Sequence, residues 1–191
     1  MSTFTITAAP NTDIWRKPPH TNVWNGESSV SIVYFTPKLT PIAAPSSNLS
    51  SGPLSSFRSA IATFSFPWSK QYDQAGLLLA FYPSPSPSES KPSIPPRWIK
   101  TGIEFYNNSP NLSTVAAAPW ADWSVAPLRT STSEDGKIWT TISIEKATDE
   151  HGVSLWVYHH DGETKVPLRE ICWVYGDEPQ NWDVEVSAMA A

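Results

Sequence analysis

Four side chains able to exchange protons stand in stretches crowded with aromatic rings: His20, Lys100, Glu104 and Asp122. A positioned general acid or base contributes ~10²–10⁴-fold to a reaction, so these four are the candidate catalytic residues. Lys100 and Glu104 share the stretch WIKTGIEF, residues 98–105. Written as a strand, it puts Ile99, Thr101, Ile103 and Phe105 on one face. Trp98, Lys100, Gly102 and Glu104 take the other. The first is an ordinary core face. The second carries an aromatic plate, an ammonium, a bare backbone and a carboxylate. Asp122 lies in APWADWSV, residues 118–125, and shares a face with Trp120. Rings beside a carboxylate could make it a proton carrier; the plainer alternative is an Asp that accepts turn hydrogen bonds. His20 lies in DIWRKPPHTNVWNG, residues 13–26. Pro18-Pro19 imposes an extended backbone there, so the segment reads as irregular, not as a strand. It gathers Trp15, Arg16, Lys17, His20, Asn22 and Trp24, either as a functional loop or as two buried Trp anchors with a supporting His.

The same two-face division applies elsewhere. In QYDQAGLLLAFY, Tyr72, Gln74 and Gly76 oppose Ala75, Leu77, Leu79 and Phe81. In SLWVYHH, Trp156, Tyr158 and His160 oppose Leu155 and Val157. In ICWVYG, Trp173 and Tyr175 oppose Cys172 and Val174. When two sheets pack, their inner faces form the core. An outer face that is aromatic as well as polar becomes a groove if its sheet curves, and such a groove suits an oxygen-rich ligand. Gly76 and Gly102 would keep its floor open. Candidate ligand-binding residues are therefore Trp15, Asn22, Tyr72, Gln74, Trp98, Trp156, Tyr158, Trp173 and Tyr175. The alternative is that these rings pack beneath long loops.

The elements that must position them are short alternating runs: 30–35, 57–66, 75–82, 98–105, 113–118, 123–133, 138–146, 152–160, 169–176 and 181–189. No sustained i, i+3, i+4 apolar pattern accompanies them, so the class is all-β, with two antiparallel sheets in a sandwich. Asp135-Gly136 and Asp161-Gly162 are hairpin signals. Pro/Ser-rich stretches at about 36–56 and 83–97 read as exposed loops within a single domain, 1–191. A linker at the first would strand too few residues for a core.

Composition narrows the functions. The net charge is −5 with no Lys/Arg cluster, which argues against nucleic acid and anionic membrane as partners. Nothing reaches ~18 continuous apolar residues. The amino-terminal stretch lacks the basic and apolar regions of a signal peptide, so an intracellular, cytoplasmic protein is expected. The lone Cys172 falls on an aliphatic face and should be inert. His159 and His160 point to opposite faces, and no converging metal set or glycine-rich phosphate loop is found. No metal and no cofactor are expected.

WRKPPHTNVWN, QYDQAGLLL, WIKTGIEF with LSTV, DWS and REICWVY occur in that order. Over about residues 13–186 the chain resembles the concanavalin-like jelly-roll domains typified by "regulation of enolase" proteins. The resemblance implies a two-sheet jelly roll with a concave ligand-binding face. It points to Trp15, His20, Asn22, Tyr72, Gln74, Trp98, Lys100, Glu104 and Asp122. The 83–97 loop departs from it by its length. Related jelly rolls bind or hydrolyse polysaccharides, but the E-x-D-x-x-E pattern of jelly-roll glucanases is missing, so hydrolysis is the lesser expectation. The expected function is binding of a small polar or aromatic ligand, carbohydrate-like or a metabolite. The alternatives are a cofactor-free isomerase, cyclase or lyase using the same groove, and a protein-interaction or regulatory domain.

Overall fold

The computed structural model describes residues 5–27, 50–65, 67–84, 90–129, 137–176 and 178–191. The run at 30–35 and the Asp135-Gly136 signal lie outside them. Period-two alternation and enrichment in Val, Ile, Thr and aromatics favour strands wherever one face can be buried. Twelve are described: β1 Ile14–Lys17, β2 Thr21–Trp24, β3 Ser50–Pro53, β4 Ser59–Phe64, β5 Gln74–Pro83, β6 Arg97–Tyr106, β7 Ser109–Ala117, β8 Ala121–Pro127, β9 Thr140–Asp149, β10 Gly152–Asp161, β11 Thr164–Ile171 and β12 Trp182–Ala190. They form a six-stranded sheet in the order β3-β12-β5-β6-β7-β8, a four-stranded sheet β11-β10-β9-β4, and the two-stranded ribbon β1-β2. Every pairing among them is antiparallel.

The large sheets sandwich one core. Leu77, Leu79, Phe81, Ile99, Val184 and Val186 of the six-stranded sheet meet Ala60, Ile142, Ile144, Leu155 and Val157 of the four-stranded sheet. Each fully buried aliphatic side chain stabilises the fold by roughly 1.5–3 kcal/mol. A second apolar cluster lies on the opposite face of the six-stranded sheet: Ile14, Leu78, Trp98, Val115, Ala117 and Met189, flanked by Trp15, Trp24 and Trp123. The ribbon covers that outer face, which is why β5 and β6 are buried along both faces.

Four sequence expectations are corrected. Residues 13–26 are not irregular: Ile14 pairs with Trp24 and Lys17 with Thr21, and the prolines sit in the connecting turn, where no ladder N–H is required. Residues 169–176 are not one strand. The chain leaves β11 at Ile171 and winds into a 3-10 turn, Cys172–Tyr175. That turn leaves Cys172 exposed, not on an aliphatic face. Finally, the end of the first Pro/Ser stretch is ordered, with β3 followed by a short turn that buries Leu54. The Asp161-Gly162 signal does mark a hairpin: Asp161 pairs with Thr164, and Gly162 takes a positive φ of 61°.

Candidate functional site

Strand β6 turns Lys100 and Glu104 toward the ribbon side of the six-stranded sheet. Both are buried, at 4% and 6% exposure. A charge so deeply buried needs partners. Lys100 Nζ donates to Asp13 Oδ1 at 2.8 Å, and its ammonium lies 5.7 Å from the Trp15 ring centre. Asp13 begins the ribbon. The same Oδ1 accepts Gln74 Nε2 at 3.1 Å and the Ile14 amide at 2.7 Å, so one carboxylate links ribbon, β5 and β6. Glu104 Oε2 accepts the Ser113 hydroxyl at 2.6 Å and the Trp123 indole N–H at 3.0 Å. Ser113 comes from β7 and Trp123 from β8. Among the described residues Lys100 pairs with Asp13, not with Glu104. Burial pushes the Lys100 ammonium below its ordinary pKa, while Asp13 and then Glu104 pull it back up.

Between these groups lies a narrow slot, lined by Gln74, Lys100, Gly102, Glu104, Ser113 and Met189. Its free volume is about 10 Å³, room for about one water molecule. Aromatic rings gather beside it. Tyr72 stacks on Tyr106 at 5.9 Å, Tyr106 meets Trp123 edge-on at 4.9 Å, and Trp123 meets Trp15 edge-on at 6.3 Å. Tyr72 is 51% exposed and has φ 74°. A bulky residue in that region carries strain on the order of 1–3 kcal/mol, a cost that tends to gather at ligand clamps and active sites. The turn before it is fixed by Asp73, whose Oδ2 accepts the Ser69 and Lys70 amides, both at 2.8 Å.

Gly76 and Gly102 face each other across β5 and β6. A Cβ at either would lie 2.0 Å from a carbonyl oxygen of the facing strand. The pair is glycine because the two backbones approach so closely.

The structure thus brings together Trp15, Tyr72, Gln74, Lys100 and Glu104 of the expected residues. It places the others elsewhere. Trp98, 1% exposed, is sealed in the second core with Trp24 at 6.3 Å. Asn22 holds the Arg16 Nε at 3.1 Å on the ribbon, and His20 is exposed at the ribbon's tip. Asp122 alternates away from Trp123, and its exposed carboxylate meets Arg169 of β11 at 2.5 Å. Trp156 and Tyr158 stack on each other at 6.0 Å on the four-stranded sheet, on residues alternating with the core-facing Leu155 and Val157. Trp173 and Tyr175 pack against the main core, Trp173 edge-on to Phe81 at 5.8 Å. Of the paired histidines, His159 is buried, and His160 Nε2 lies 2.8 Å from the Ser143 hydroxyl. Asp13, Tyr106, Ser113 and Trp123 were not among the expected site residues. Only Asp13 and Trp123 lay in stretches already marked by aromatic density.

No helix among the described residues is long and apolar enough to cross a membrane. The chain is 37% identical over 175 residues to the uncharacterized protein AN7484 of Emericella nidulans, covering 92% of this chain and 70% of that protein. A crystal structure of a functionally unknown protein from Saccharomyces cerevisiae aligns over 98% of this chain and 88% of that one, at 16% identity and a TM-score of 0.45. Residues 1–190 match the model of the family described as "Protein of unknown function (DUF1349)", and the chain belongs to that family.

Proposed function

We propose that the Lys100–Glu104 slot and its aromatic rim bind a small polar ligand, one group of which enters the slot while the rest lies on the rings. One observation carries the reading: an ammonium and a carboxylate are buried on one sheet face beside the same slot, yet each is paired with another residue. Packing alone would favour apolar side chains there, because desolvating two charges costs several kcal/mol per ion. The exposed, strained Tyr72 beside the slot adds a platform whose conformation a purely structural residue has no need of. The slot is far below the ~300 Å³ of a pocket that engulfs a ligand, so contact is shallow, with one group inserted. In keeping with this, the sandwich is proposed to be a concanavalin-like jelly roll with this face as its ligand-binding side.

The test is a thermal-shift screen against sugars and small aromatic metabolites. A ligand at about 100 times its Kd adds about 2.7 kcal/mol of stability, a shift of several degrees. The shift should vanish in Lys100→Met and shrink in Tyr72→Ala, with both variants folded. A wild-type protein that responds to no compound would sink the proposal and turn attention to a protein partner for the aromatic rim.

The lowered pKa of Lys100 near the Glu104 carboxylate favours a second reading, acid–base turnover of the bound ligand. Incubating each hit with the protein and finding no new species by mass spectrometry would exclude turnover of those compounds.

A further inference from the structure

The hydrogen-bond partners at the slot narrow what enters it. A carboxylate only accepts. The single Ser113 proton therefore goes to Glu104 Oε2, and the Trp123 N–H is shared between that oxygen and Ser113 Oγ, each at 3.0 Å. Glu104 Oε1 has no donor among the described residues. Gln74 Nε2 donates to Asp13 Oδ1 and to the Tyr72 carbonyl, which leaves the Gln74 amide oxygen as an acceptor. Lys100 has three N–H groups, and one is directed to Asp13. The slot thus presents a donor, the ammonium, together with two acceptors, Glu104 Oε1 and the Gln74 oxygen.

We infer that the inserted group is a neutral hydroxyl carried on a ring: its oxygen accepts from Lys100, its proton goes to Glu104, and the ring rests on Tyr72, Tyr106 and Trp123. This rests on the binding reading above. A carboxylate in the slot would accept from Lys100 but set its second oxygen against Glu104. An ammonium would donate to Glu104 but meet Lys100 head-on. A hydroxyl, about the size of a water molecule, fits the free volume. The rim takes either an aromatic ring face-on or the C–H face of a sugar. Ring alcohols of both kinds therefore share the recognition chemistry.

Two matched series separate the sources. Benzyl alcohol is compared with toluene, benzylamine and benzoate, and tetrahydropyran-2-methanol, a pyranose ring with a single hydroxyl, with tetrahydropyran-2-carboxylate and 2-(aminomethyl)tetrahydropyran, by ligand-observed NMR titration at neutral pH. In at least one series the alcohol should bind at least about tenfold more tightly than every charged or hydroxyl-free analogue, because an unmatched buried donor or acceptor is left otherwise. Whichever series shows this identifies the ring type. Ring binding that is indifferent to the hydroxyl would overturn the inference while leaving the slot's rim as a binding surface. Binding by none of the seven compounds would overturn both. In Glu104→Gln the amide oxygen must keep the Ser113 and Trp123 donors, so the amide NH₂ turns to the slot. The preference should then swing from the alcohol to benzoate or the tetrahydropyran carboxylate, and a variant that still prefers the alcohol overturns the inference. The wild-type series decides the matter even where that variant fails to fold.

Discussion

At the residue scale, buried polar groups are cheap only when matched, and the chain holds both outcomes. Glu104 Oε2 and the Lys100 ammonium each have a partner, Ser113 with Trp123 for the first and Asp13 for the second. The Tyr175 hydroxyl is buried with no hydrogen-bond partner among the described residues, and burial pushes its pKa well up. Replacing it should relieve that penalty: Tyr175→Phe is expected to raise stability by about 1 kcal/mol, read from the urea midpoint. A loss of stability instead would show that the hydroxyl is satisfied after all. Alternation alone made Lys100 and Glu104 legible, since period two puts i and i+4 on one face. It could not supply their partners. Ser113 looks like any small residue in an alanine-rich run, and only the pairing of β6 with β7, with Gly102 opposite Ser113, brings it near Glu104. Trp98 shows the reverse failure. It shares the face of Lys100, but local periodicity cannot say that a distant ribbon lies over it.

At the element scale, the ribbon β1–β2 decides what the outer face can do. Its fastening is the buried Arg16. The guanidinium donates to the carbonyls of Pro95 at 2.9 Å, Pro96 at 2.8 Å and Pro119 at 3.1 Å, and Nε to Asn22. Those proline carbonyls lie beside the ends of β6 and β8, so the segment before β6, read from sequence as part of a free loop, is pinned at its last residues. A lysine has one donor head and no planar fork, so it cannot replace this geometry. Arg16→Lys is expected to cost about 2–3 kcal/mol and to open Trp98 and Trp24 to acrylamide quenching. Unchanged quenching would mean that the ribbon is held by its apolar contacts alone. The hairpin is illegible in the sequence because Pro18-Pro19 imposes an extended backbone at its centre. Prolines break a ladder only where an N–H is required, and here they fall in the turn.

At the scale of the whole molecule, two sheets enclose one core, and the slot lies outside it on the far face of the six-stranded sheet. Stability and recognition should therefore separate. Ile144, fully buried in the main cluster, is expected to lose about 2–5 kcal/mol as Ile144→Ala, with ligand response intact at temperatures where the variant remains folded. Loss of response in a folded Ile144→Ala protein would show that the core and the slot are coupled. The all-β sandwich was legible because alternation recurs along most of the chain. Which outer face each aromatic strand belongs to was not, because periodicity carries no sheet assignment; Trp156 and Tyr158 obey the same rule as Tyr72 and Gln74 yet sit on the other sheet. The facing glycines of β5 and β6 supply what periodicity lacks. Sliding one strand along the other would bring a residue with a side chain against a carbonyl that leaves 2.0 Å for a Cβ. The pair therefore acts as an index mark that admits one alignment, and that alignment puts Gln74 opposite Glu104. The placement of the polar groups around the slot is thus set by two residues that have no side chains.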